Sequence, residues 1–484
     1  MMDIREMVDK EENEQLRSIP AQRLIEKLSL LKNRVNEAKK RWFWELLQNA
    51  SDYNESVNVK LTVSDDRVTF SHDGAPFSLR DALNIISPDS NKQDDEKHKD
   101  NIGKFGTGLV STHILSSIME VEGICIDPDD ECYKFFMSLN RSCFANKPEL
   151  IEQITQAKNK FKESLQKQVL SLGFNTSFSY KLGCPLPELP SLTSSDIELN
   201  YLYEVLPYTL CFMSKVKSVV IEDGRNESEV GCFKISRVTT DDENKVVFEI
   251  QKNSEISVQE YAYFTSDDVS TVFRFEKDEI LPYPEGLSRI FCGLPLIGTE
   301  KIGMPFLLNS LKFMPTTERE GVELEPGSNE VNRKLFESSV ALYGKMLDYV
   351  ANKKMRNAFY ISRLCNNYNG TPISCQQFYN LYLSAYKRHI LSHNIVVNDD
   401  GQFVSFSSIQ LPFKDSKLDV DLYRNCSLLN KACLPAEKDY QAWFDITDFT
   451  IFREQKYTYE NLAKQIDSKV NIYSFGKTSN EILT

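Results

Sequence analysis

The sequence holds no apolar run approaching the roughly 18 residues that a membrane span needs. The N-terminal Met1-Met2-Asp3-Ile4-Arg5-Glu6 lacks the apolar core of a secretory leader. Histidine is scarce, with five in 484 residues, and none of the eleven cysteines forms a Cys-x-x-Cys pair. A zinc site is therefore not expected, and the odd cysteine count reads as reduced thiols. Positive charge is in deficit, 57 Lys and Arg against 70 Asp and Glu, for a net charge of −13. That balance argues against broad nonspecific nucleic-acid binding and leaves only a local basic patch as a route to it. Internal repeats and low-complexity tracts are absent. These absences predict a cytoplasmic protein with no membrane association. Hydrophobic residues make up 41% and charged residues 26%, a composition that builds sizeable cores. The length suits about two to four domains.

What is present centres on Arg41-Trp-Phe-Trp-Glu-Leu-Leu-Gln-Asn-Ala-Ser-Asp52. Read as a helix, it places Glu45, Asn49 and Asp52 on one face about 60° wide at roughly 100° per residue. Phe43, Leu46, Leu47 and Ala50 fall on the opposite arc, with Trp42 on the flank. Two carboxylates and an amide aimed at one point suit a divalent cation held through oxygen and a water to be oriented. The plainer reading is a solvated polar face.

The flanks read in order. Residues 10–52 have helical spacing of Leu24, Ile25, Leu28, Leu31 and Val35. Val57, Val59, Leu61 and Val63 alternate with polar residues, and Val68 and Phe70 start a partner strand across Asp65-Asp66, so a hairpin is predicted. It delivers His72-Asp73-Gly74-Ala75-Pro76-Phe77. An Asp at a strand end can accept from an exocyclic amine, and the Gly lets a flat ligand approach the backbone; an ordinary Asp-Gly turn has the same letters. Ser78 caps a short helix. Residues 88–101 carry no apolar side chain except Pro88 and read as a mobile loop. They lead into Ile102-Gly-Lys-Phe-Gly-Thr-Gly-Leu109, glycines feeding a helix start with Lys104 as a cation, which suits phosphate. The order matches neither the Rossmann fingerprint nor the P-loop. Strands are predicted at 119–126, 132–139 and 175–180, a helix at 147–171, an apolar helix at 196–215 interrupted by Pro207, and a strand at 216–221.

Taken together, Glu45-x-x-x-Asn49-Ala-x-Asp52, Asp73-Gly74 and Gly103-x-x-Gly106-x-Gly108 resemble the N-box and two glycine motifs of the gyrase, heat-shock chaperone, histidine kinase and MutL (GHKL) ATPase superfamily. Asp73-Gly74-Ala75-Pro76-Phe77 departs from the commoner Asp-x-Gly-x-Gly form and is closer to chaperone-like relatives of the sacsin type. The resemblance implies an α/β (α+β) chain. A Bergerat-type ATP-binding sandwich would fill residues 1–222, with a lid at about 88–108. A transducer-like α/β domain would fill 223–352 and a mixed α/β region 353–484. It also implies ATP and Mg²⁺ as cofactors. Glu45 would be the general base, Asn49 the Mg²⁺ ligand and Asp73, with Gly74, the adenine contact. Lys104, Gly106, Thr107 and Gly108 would hold phosphates, Asp52 would support the adenine or ribose side, and Thr176 would contact nucleotide. From the second domain, Arg319, with Lys312 second, would reach the γ-phosphate.

The expected activity is Mg²⁺-dependent ATP hydrolysis of chaperone-like type. Lid closure would change domain or dimer arrangement, with a protein client or partner or a homodimer, in stress response or antiviral defence. Two other classes stay open. One is a nucleotide-gated interaction module with little turnover, which retention of Glu45 disfavours. The other is a MutL- or MORC-like DNA-processing clamp, which the acidic balance disfavours and salt-dependent DNA binding would reveal. The aromatics Phe378, Tyr379, Tyr382 and Tyr386 read as core packing rather than a base-stacking platform.

Overall fold

Alternation of Val57, Val59, Leu61 and Val63 with Asn58, Lys60 and Thr62 is realised as a strand with one buried and one polar face. The computed structural model describes residues 18–52, 54–87, 108–169, 173–225, 230–316, 319–324, 330–364, 373–414, 417–446 and 452–468. The chain is mixed α/β and divides into two compact units. The first holds residues 1–239 and 247–258, and the second 240–246 and 259–484.

The first unit starts with helix α1 (18–30), a 3₁₀ turn Leu31–Asn33 and helix α2 (Val35–Asp52). The helix expected over 10–52 is thus broken near Arg34, whose φ of −144° leaves the helical region. Then come β1 (Val57–Val63), β2 (Arg67–His72), β3 (Phe77–Ser78), α3 (Leu79–Ile86), α4 (Gly108–Ser111), β4 (Ile118–Ile126), β5 (Cys132–Asn140), α5 (Lys147–Ser164), β6 (Gln166–Lys167), β7 (Thr176–Lys181), α6 (Leu199–Phe212), β8 (Val216–Asp223), β9 (Gly231–Val238) and β10 (Lys245–Lys252). The sheet order in this unit is β10-β9-β8-β1-β2-β7-β4-β5-β6, with β3 parallel beside β4. The β1–β8 pair is parallel and the other neighbours on that path are antiparallel.

One sheet face is apolar and takes α2, where the Phe43 ring meets Phe70 edge-on at 5.9 Å. The other face is laced by polar pairs: Lys60 with Glu222 at 2.8 Å, Arg67 with Glu120 at 2.8 Å and Thr69 with Ser179 at 2.8 Å. Ser78 caps α3 as expected, accepting from the Asp81 N–H at 3.1 Å.

Two expected elements come out differently. The helix predicted over 147–171 stops at Ser164, because that hydroxyl accepts from the Phe136 N–H (2.8 Å) and bonds the Phe136 carbonyl (2.9 Å), turning the chain into β6. Pro207 does not interrupt α6. It is buried inside a continuous helix whose neighbours Val205, Leu206 and Leu210 are all buried, so packing outweighs the one lost N–H bond.

The second unit is built from β11 (Glu255–Ser266, from Gln259 on), β12 (Val269–Glu276), β13 (Glu279–Ile280), β14 (Ile290–Cys292), β15 (Leu294–Pro295), β16 (Leu308–Asn309) and the helices α7 (Glu330–Lys353) and α8 (Ile373–Ser392), followed by shorter elements to Asp467. Asn398 to Gly401 forms a hairpin turn, with Gly401 at φ 78°. A single core runs from Ala262 to Leu462 and includes Tyr382 and Tyr386. The two compact units do not follow the boundaries at 222 and 352. The sheet of the first continues past residue 222 through β9 and β10, and residues 353–484 share the core of 259–352.

Candidate functional site

Helix α2 buries more than its apolar arc. Phe43, Leu46 and Leu47 are fully buried, but so is most of Glu45, which keeps 6% exposure, and Gln48 and Ser51 are buried too. A carboxylate that no solvated face requires therefore sits inside the unit. Its Oε1 pairs with Arg41 Nη2 at 3.0 Å, one turn earlier. Its Oε2 lies against Gly108, the first residue of α4. A Cβ there would collide with that oxygen and stand 3.3 Å from the carboxylate carbon. The helix start that sequence reasoning assigned to phosphate and the carboxylate assigned to the base are thus neighbours. Asn49 is half-buried, and its amide makes no hydrogen bond among the described residues. Asp52, also half-buried, is partnered.

The end of α2 is tied to the loop after β2. Asn54 Nδ2 donates to the Ala50 carbonyl at 2.6 Å, while Asn54 Oδ1 accepts the Ala75 N–H at 2.5 Å. From the other side Asn175 Nδ2 donates to the Gly74 carbonyl at 3.0 Å, and Thr176 Oγ1 donates to Asn175 Oδ1 at 3.1 Å. Gly74 is required here, since a Cβ would lie 2.9 Å from His72 Nδ1 and closer still to the Asn54 amide. Thr176 is buried directly opposite His72 in the β2–β7 register.

His72 and Asp73 lie on different faces. His72 shares the parity of Val68 and Phe70 and is buried on the α2 side, stacked on Phe178 with ring centroids 6.4 Å apart. Burial lowers its pKa to about 4, against a smaller opposing pull from Asp73, so the ring is neutral. Asp73 instead pairs with Asn58 on the polar face. Its Oδ1 accepts the Asn58 N–H at 2.7 Å and its Oδ2 accepts Asn58 Nδ2 at 2.8 Å. Ser218 holds the other end of that amide, donating to Asn58 Oδ1 at 2.6 Å.

Of the predicted site, α2, the Gly74 loop, Thr176 and Gly108 come together in the first unit. Lys104, Gly106, Thr107 and the rest of the expected lid before Gly108 lie outside the described residues. Arg319 and Lys312 belong to the second unit. Arg319 sits in a loop at φ 55°, its N–H donating to the Thr316 carbonyl at 2.8 Å, and Lys312 pairs with Asp268 at 2.8 Å. Sequence reasoning missed His72, Asn54, Asn58 and Asn175. Extending the Val68–Phe70 parity by one step finds His72; the three asparagines act only through contacts distant in sequence or outside any motif.

The donor set fits a nucleotide with Mg²⁺. No cluster of three His, Cys, Asp or Glu suited to a metal occurs among the described residues. A Mg²⁺ held by one amide, waters and substrate phosphates needs none. Asn49, one helical turn after the buried Glu45, would be the one amide to hold such an ion. Compared with known proteins, the chain matches no family model and no curated protein.

Proposed function

We propose that this chain is a Mg²⁺-dependent ATPase of chaperone-like type, whose first unit is a Bergerat-type sandwich. The observation that carries this reading is the buried Glu45 carboxylate lying against Gly108, the last glycine of the Gly-x-x-Gly-x-Gly segment. A buried carboxylate at the start of the helix that follows the glycine-rich segment stands where a base beside a phosphate cradle would stand. A hydrolase needs a base next to the phosphate cradle.

In this mechanism Arg41 holds Oε1 and fixes the carboxylate rotamer. Oε2 is then the oxygen that accepts the proton of the attacking water. Bound Mg²⁺ would offset charge on the phosphate oxygens, with Asn49 as its protein ligand. Asn54 and Asn175 hold the Gly74–Ala75 backbone from two sides, so a flat base would meet a rigid wall. Thr176 stands beside that wall.

Mg²⁺-dependent ATP hydrolysis and nucleotide binding by wild type and Glu45→Ala test the reading. The wild type is expected to turn over. The variant should bind ATP while turnover falls about 10²- to 10⁴-fold, the usual worth of a general base. Binding without turnover in the wild type would favour the interaction-module class, and absence of nucleotide binding would overturn the assignment.

A further inference from the structure

Strand parity separates two neighbours that the sequence presents as one motif. In β2, Val68, Phe70 and His72 point to the face that carries α2. One residue on, the side chain must point the other way. The hydrogen bonds agree, because both Asp73 oxygens are engaged by Asn58, itself on the polar face and anchored to Ser218. Glu45, Gly108, Thr176 and the Gly74 loop belong to the α2 side. Asp73 does not.

His72 is the polar side chain of β2 on that side. The Gly74 N–H donates to its Nδ1 at 3.2 Å. A backbone N–H can only donate, so Nδ1 supplies the lone pair and the neutral ring carries its proton on Nε2. Nε2 has no hydrogen-bond partner among the described residues, although the ring is only 6% exposed. That N–H is therefore available to donate to an acceptor on a ligand.

We propose that His72, not Asp73, reads the base. Its Nε2–H donates to a purine ring acceptor such as N1, and no carboxylate accepts from the 6-amino group. This rests on the nucleotide-binding reading above and deepens it by naming what is recognised: an acceptor on the purine edge, with the amine dispensable. Thr176 and Phe178 on β7 form the other side of the His72 ring.

The test compares the affinity of the full chain for ATP and for purine riboside triphosphate, which keeps N1 and lacks the amine. Wild type, Asp73→Asn, His72→Phe and His72→Gln are measured. The wild type is expected to bind both within about threefold, and Asp73→Asn should keep that ratio even if the variant is less stable. His72→Phe keeps the ring packing but removes the donor, so both ligands should weaken about tenfold or more, the loss expected for one unmade hydrogen bond. His72→Gln restores a donor and should recover much of the binding. A wild type that prefers ATP more than tenfold, with the preference lost in Asp73→Asn, would overturn the inference and leave the ATPase reading intact. Unchanged affinities in His72→Phe would do the same. Failure of the wild type to bind either nucleotide would overturn both.

Discussion

Two buried imidazoles shape the acid response of the first unit. His72 is pushed down to about 4 by burial, despite the nearby Asp73. His113 is pushed down to about 3, by burial first and then by the Arg141 guanidinium, although its Nδ1 meets the Ser116 carbonyl at 2.9 Å. Both folded values lie below the ordinary 6.5, so the unfolded chain binds protons first as pH falls. The stability these rings contribute is complete above about pH 6.5 and is lost as pH drops towards 4 and then 3. For His72 the full difference is roughly 3 kcal/mol, at 1.36 kcal/mol for each pH unit. Urea unfolding at pH 7.5 and pH 5 should show a clear fall in midpoint for the wild type. His72→Phe should show a shallower pH dependence, whatever its absolute stability.

At the scale of elements, the site depends on how closely α4 approaches α2. The contact is set by a missing side chain, since a Cβ at Gly108 would occupy the place of Glu45 Oε2. Glu45 cannot simply swing aside, because it is buried and its other oxygen is held by Arg41. Gly108→Ala is therefore expected to lower the unfolding free energy by about 1–3 kcal/mol, as overpacking does. It should also cut ATP turnover more than ATP binding, because the displaced group is the base. Denaturant midpoints with parallel turnover assays check both. The amphipathic reading of α2 foresaw its buried arc from the spacing of Phe43, Leu46, Leu47 and Ala50. The same spacing was compatible with a solvated Glu45. Only the chain returning at Gly108, 63 residues later, removes that option.

At the scale of the whole molecule, the division into two units crosses the chain three times, after residues 239, 246 and 258. A cut at 222 would strip β9 and β10 from the first sheet, where Val247 to Lys252 pair with Val238 to Phe233. In the second unit Phe306 stacks on Tyr343 at 4.8 Å and meets Tyr386 edge-on at 5.3 Å, so residues on both sides of position 353 share one aromatic cluster. Phe306→Ala should cost about 3–5 kcal/mol. Hydrogen exchange should then show protection falling together in β12, α7 and α8. Loss confined to residues before 353 would restore a separate C-terminal domain.

The sequence by itself determined the β1–β2 hairpin, the buried arc of α2, the Ser78 cap and the order of the candidate motifs. Each follows from periodicity or a side-chain-to-backbone bond spanning a few residues. Tertiary structure decided the rest. Glu45 is buried because Gly108 returns to it, and Asp73 is turned away because Asn58 and Ser218 hold it on the polar face. The helix after Lys147 ends at Ser164 because β5 captures that hydroxyl, and the second core joins residues that are distant in sequence. Local patterns fix which face a residue can occupy; which partner waits on that face is set by contacts that no local pattern encodes.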